Sequence, residues 1–78
     1  MTESAIKILQ KNDRGFFLFV EGARIDMAHH NTEARKSLED TEEFAKAVQV
    51  ARQMLPEDDT LIVVTSDHSH TMTIGGYP

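Results

Sequence analysis

The chain has 78 residues, a formal net charge of −5 and no cysteine. Its eight basic residues form no stripe or arm, so nucleic acid and anionic membrane surfaces are poor partners, and no run approaches the ~20 apolar residues of a membrane span. Without cysteine there is neither a disulfide framework nor a thiolate metal site, so any metal must be held by oxygen and imidazole nitrogen.

In chain order, Thr2 or Ser4 can cap a short helix with Ala5, Ile6, Ile8 and Leu9 on one apolar side. The turn residues of Lys11-Asn-Asp-Arg-Gly15 end it. The run Gly15-Phe-Phe-Leu-Phe-Val20 is apolar and aromatic, and reads as a strand buried on both faces. Gly22 allows a sharp departure from its end, so that Glu21 projects while the chain turns towards Asp26. Asn31 is the expected N-cap of a long helix, with Glu33 in the first turn and a stripe at 34, 38, 41, 45, 48, 51 and 55 facing the core. Pro56 and Glu57-Asp-Asp59 end that helix, and Thr60-Leu-Ile-Val-Val-Thr65 reads as a second buried strand. The turn-rich Gly75-Gly-Tyr-Pro78 follows.

The expected class is therefore α/β: a strand-helix-strand piece of a larger, mostly parallel sheet with helices on both faces. Two strands of the doubly buried kind need further strands beside them, so residues 1–78 are expected to be part of a domain incomplete at both ends. Nothing at Met1-Thr-Glu-Ser4 resembles a signal peptide.

This topology would bring the carboxyl ends of both strands to one edge, where open α/β sheets place their ligands. After the first run come Glu21, Asp26 and His30, and after the second Asp67 and His68, with His70 two positions on. Asp26 and His30, four residues apart, face one way on a helix or turn and can grip one ion. Asp67 and His68 are adjacent, so sharing an ion needs an irregular loop or two acceptor sites. Three carboxylates with only Arg24 nearby in sequence call for a compensating cation. Imidazole with carboxylate suits zinc, and carboxylates with water suit magnesium, so a site for more than one divalent ion fits these residues. Either element alone is a weak signal, because Asp, Glu and His are ordinary loop residues. Their joint position after two buried runs is what points to a site.

At these residues the chain resembles alkaline phosphatases of the animal type. Gly15-Phe-Phe-Leu-Phe-Val-Glu-Gly22, Arg24-Ile-Asp26 and His29-His30 are similar to the family's first metal segment. Thr60-Leu-Ile-Val-Val-Thr65, Asp67-His-Ser-His70 and Gly75-Gly-Tyr-Pro78 are similar to its second. The resemblance implies hydrolysis of phosphate monoesters through a phosphoserine, two zinc ions and one magnesium. It implies Glu21 as a magnesium ligand, Asp26 and His30 as ligands of the first zinc, and Asp67 and His68 as ligands of the second. It implies His70 as an outer residue that hydrogen-bonds Asp26. It further implies a homodimer in the full-length protein, at the cell surface on a lipid anchor or secreted.

Met27 departs from the family, standing where animal members usually carry His, and a thioether donates no hydrogen bond. Ala23 and Ser66 replace a usual Gly and Ala. No segment matches the nucleophile serine, the phosphate-binding arginine or the third ligand of the first zinc. The alternatives are a surface-anchored binding protein of the same fold without turnover, and a phosphodiesterase or sulfatase of the wider superfamily.

Overall fold

The structure, a computed structural model, describes residues 1–76; Tyr77 and Pro78 of the expected terminal turn lie outside them. Among the described residues three helices are formed: α1 over Thr2–Leu9, α2 over Arg24–His30 and α3 over Ala34–Met54. Both α1 and α2 pack against α3.

Helix α1 starts one residue before the expected caps. Met1 is its N-cap and no side chain bonds the first turn, so Thr2 and Ser4 lie inside the helix. Glu3 sits where the helix dipole favours an anion and pairs with Lys7 at 2.9 Å. Of the expected apolar side, Ile6 is fully buried while Ile8 is exposed. Helix α1 then ends in a turn of the expected chemistry. Asn12 Oδ1 accepts from the Arg14 amide at 3.0 Å, and Gly15 takes a φ of 90° that favours glycine.

Asn31 does not cap α3; it is the C-cap of α2. The Thr32 amide donates to the His29 carbonyl at 3.0 Å and the Glu33 amide to the Ala28 carbonyl at 2.9 Å. These are the two bonds of a Schellman ending, here with a threonine rather than glycine in the left-handed position, φ 59°. Glu33 becomes the N-cap of α3 without a side-chain bond, and its carboxylate takes Lys36 at 2.6 Å.

The buried side of α3 is rotated by one position over its first half. Ser37 is buried and Asp40, Phe44 and Ala47 are half-buried, while Ala34, Leu38, Thr41 and Ala45 of the expected stripe are exposed. From residue 48 onward the two agree, with Val48, Ala51 and Leu55 half-buried. Phe44 decides the rotation: its ring lies where a Cβ on Gly22 would meet it at 3.0 Å. Gly22 thus serves a close approach to Phe44, where an added Cβ would press on the ring, whereas the expectation was a sharp turn of the chain.

The expected strands are absent. Among the described residues there is no strand and no sheet, and no backbone hydrogen bond joins the run at 16–20 to the run at 60–65. Phe17 is 87% exposed and Leu61 88%. The α/β expectation fails on a physical point: apolar and β-branched composition reports a fit to a half-buried pleated surface, whereas a strand exists only with a hydrogen-bonded partner. The radius of gyration is 16.0 Å, against about 11.5 Å for a compact domain of this length, so the molecule is elongated around α3. No helix among the described residues is long and apolar enough to cross a membrane.

A β-branched residue in the left-handed region costs about 1 kcal/mol, so Thr32→Gly is expected to raise the midpoint of the helix melt followed by circular dichroism. Thr32→Ala, which keeps a Cβ, should gain less. A lower midpoint for the glycine variant would show that the Schellman turn is not what joins α2 to α3.

Candidate metal centre

Helix α2 places Asp26 and His30 one turn apart on one face, as their spacing requires. Asp26 Oδ2 lies 3.4 Å from His30 Nε2. From the other part of the chain, His68 Nε2 comes to 3.6 Å and His70 Nε2 to 3.9 Å of Asp26 Oδ1. The segment after residue 65 therefore does meet the segment after residue 20, without a sheet edge to bring them together. Asp26, His30 and His70 each offer a ligand atom within 4.8 Å of the others, a possible metal-binding group.

The protonation pattern of this cluster follows from its backbone partners. His68 Nδ1 lies 2.9 Å from the Ser69 carbonyl, and His70 Nδ1 2.9 Å from the Thr71 carbonyl. A carbonyl only accepts, so both Nδ1 atoms carry the proton and both neutral rings present the Nε2 lone pair. Those lone pairs face Asp26 Oδ1, itself an acceptor, shielded from water and without any hydrogen-bond partner. Acceptors converging on a buried carboxylate oxygen repel unless a cation stands among them. Their separations also suit one: ligands about 2.1 Å from a tetrahedral metal stand ~3.4 Å apart. A divalent ion fits this donor set.

Asp67 belongs to the rim of the cluster. Its Oδ1 accepts from the His68 amide at 3.0 Å and its Oδ2 lies 3.5 Å from His68 Nε2. Glu21 stands apart, exposed on a shallow hollow of about 380 Å³ lined also by Gly22, Arg24, Asp40, Glu43 and Phe44. His70 was expected to hydrogen-bond Asp26, but 3.9 Å is too long for that bond and places it instead among the ligand-offering residues. Met27 is 46% exposed on α2, and lines a second small hollow with Arg24, Asn31 and Lys36.

Two residues were given no role in the sequence reading. His29, on the same side of α2 as Asp26, stacks its ring on that of His70 with centroids 4.8 Å apart. Ser37, 1% exposed on α3, sets its hydroxyl 3.1 Å from His29 Nε2. The i, i+3 relation of Asp26 and His29 was the available signal for the first. A small polar residue on the inward side of a helix was the signal for the second, and the one-position error in the stripe hid it.

The bond to the Ser69 carbonyl, then the charges of Asp67 and Asp26, raise the His68 pKa above its ordinary 6.5. The sign follows: the charged ring's contribution is complete below pH 6.5 and is lost as pH rises through the raised value. Metal and proton compete for Nε2, so metal capture by His68 strengthens over the same rise. Nuclear magnetic resonance titration of the ring should give a midpoint above 6.5, moving down in Asp67→Asn while staying raised by the Ser69 bond. A midpoint at or below 6.5 in the unsubstituted chain would refute this local geometry.

Comparison with known proteins gives the family. The family model for alkaline phosphatase matches residues 1–78. The membrane-bound alkaline phosphatase of Bombyx mori is 53% identical over 77 residues, covering 99% of this chain and 14% of that protein. The tissue-nonspecific isozymes of alkaline phosphatase from Felis catus and Gallus gallus are each 52% identical over 99% of this chain and 15% of their own length. The chain thus spans about one seventh of the length of the curated relatives it matches. No solved structure matches it. A family model matched from end to end, with relatives identical at half of the positions, shows that the chain belongs to the alkaline phosphatase family.

Proposed function

We propose that this chain supplies part of the metal centre of an alkaline phosphatase that hydrolyses phosphate monoesters through a phosphoserine, the serine lying outside these 78 residues. The observation that carries the reading is Asp26 Oδ1, shielded from water, without a hydrogen-bond partner and faced by two imidazole nitrogens. In a chain of this family, the ion that satisfies it is zinc, for which imidazole and carboxylate are suited ligands.

The division of roles follows the family resemblance. Asp26 and His30 hold the first zinc from one turn of α2, and Asp67 and His68 hold the second from the irregular segment after residue 65. Glu21, on its separate hollow, holds magnesium, whose preference for carboxylate and water it meets. His70 stands against Asp26, and its free Nε2 joins Asp26 and His30 in offering a ligand atom to the ion. When bound, the ions supply Lewis-acid stabilisation of charge developing at phosphorus. The chain's own contribution is to fix the carboxylates and imidazoles that hold them and to keep one oxygen of Asp26, Oδ1, from water. Met27 brings no hydrogen-bond donor to that side of the site, so contacts to a phosphate oxygen there must come from elsewhere.

The name of the Bombyx mori relative supports a membrane-associated setting, and the family motifs support attachment at the outer cell surface or secretion, as a homodimer. The net charge of −5 supports small phosphate esters rather than nucleic acid as substrates.

A longer protein containing this segment and the nucleophile, assayed on an aryl phosphate with zinc and magnesium, should turn over and lose activity to a chelator. Loss of an outer partner of a metal ligand costs 10–100-fold, so Asp26→Asn should lower kcat/KM by more than about 100-fold. Stoichiometric metal without hydrolysis would point instead to a binding protein of this family.

The 78-residue chain alone should bind zinc more weakly than micromolar and show no turnover. Loss of a nucleophile in a serine hydrolase costs about a millionfold, and the first zinc would have Asp26 and His30 where catalytic sites use three protein ligands. Isothermal titration and a long-incubation assay check this. Submicromolar binding with metal-dependent turnover would mean that the nucleophile is within the chain after all.

A further inference from the structure

We infer that His29 is a positioning residue for His70, with the buried Ser37 hydroxyl as its brace; the inference rests on the metal-centre reading above. His29 is not free to be a ligand. Its Nδ1 lies 2.8 Å from the Ile25 carbonyl, which only accepts, so Nδ1 carries the proton. Ser37 Oγ lies close to both ring nitrogens, 3.0 Å from Nδ1 and 3.1 Å from Nε2; with Nδ1 already protonated, only Nε2 can accept the hydroxyl's proton. Both nitrogens are spoken for inside the protein, and what the ring offers outward is its face.

That face is used. The His29 and His70 rings stack with centroids 4.8 Å apart and planes 27° from parallel. His30 meets the same His70 ring edge-on, at 4.6 Å and 88°. His70 is therefore held on its face by one α2 histidine and at right angles by the next, with Nδ1 donating to its own neighbour's carbonyl. Only Nε2 is left, and it is directed at Asp26 Oδ1. Aromatic pairs in such geometries contribute beyond area burial, and here they also fix a ring on a segment that has no regular structure of its own.

Ser37 is what makes the His29 ring stiff. A serine inside a helix usually bonds the carbonyl four residues back, but this hydroxyl goes to His29 across the α2–α3 junction. At 1% exposure it has no access to water in exchange, so losing the pair leaves a buried polar group unsatisfied. The position of α3 is in this way passed through Ser37 and His29 to the orientation of His70 at the metal centre.

The test is cobalt titration of the metal-free longer protein that contains this segment, read by visible absorption. Outer partners of metal ligands are worth 10–100-fold in affinity, so His29→Ala should raise the cobalt dissociation constant about tenfold and alter the absorption band. His29→Phe, which keeps a ring to stack, should recover most of the loss. Ser37→Ala should weaken binding less than His29→Ala, and Ser37→Thr, which keeps the hydroxyl, should restore it, with helix content by circular dichroism unchanged in both. Wild-type affinity and spectrum in both alanine variants would overturn the positioning role and leave the metal reading standing. If His29→Ala loses its helices, unchanged binding by Ser37→Ala overturns it alone. Absence of any cobalt binding by the unsubstituted longer protein would remove the metal reading, and this inference with it.

Discussion

The arrangement turns on one carboxylate oxygen. Asp26 Oδ1 is out of reach of water and has no donor, and the groups nearest to it are imidazole nitrogens whose protons are committed to the far side of each ring. Acceptors brought together in that way, with no donor among them, repel one another. A divalent cation removes the conflict for all of them at once. The short helix, the left-handed turn after it and the irregular segment at 68–71 can be understood as the means by which three otherwise repelling groups are held in place.

Those means are unequal in stiffness. Asp26 and His30 ride on α2, a helix of seven residues too short to stand alone in water. It persists because its C-terminal carbonyls are satisfied by the Thr32 and Glu33 amides, and because Ala28 is buried towards α3. His68 and His70 have no helix beneath them, and each is oriented by the backbone carbonyl of the residue that follows it. One half of the centre is thus placed by tertiary packing and the other by local hydrogen bonds. The two halves are joined by ring contacts, which depend on distance less steeply than a hydrogen bond does on angle.

The legible part of the site was the part governed by local geometry. Asp26 and His30 could be paired from sequence because four residues make one helical turn whatever the rest of the fold does. The convergence of 26–30 with 67–70 was expected for a different reason than the one observed, since the runs at 16–20 and 60–65 form no ladder. Strand pairing is a non-local property that β-branched residues favour without supplying. The N-cap of α3 was misplaced because Asn31 is as good at a helix end as at a helix start, and the residue that settles the matter is Thr32, a poor candidate for a positive φ. Ser37 was hidden by Leu38 beside it: a hydropathy stripe counts apolar residues, and the inward position here is held by a hydroxyl with a partner eight residues away.

That misreading bears on how the centre could be tuned. Counting apolar residues puts Leu38 inward and leaves His29 as a spare histidine before a ligand. Counting hydrogen-bond partners puts Ser37 inward and gives His29 two occupied nitrogens and a working face. Exposed ion pairs along α3, such as Arg35 with Glu39 at 2.7 Å and Lys46 with Glu43 at 2.7 Å, are screened by solvent and can vary without effect on the site. The pair between Ser37 and His29 cannot vary so freely, because neither side has solvent to fall back on. A position on the long helix that carries no charge and touches no ligand is therefore better placed to alter the metal centre than the charged residues that cover the helix surface.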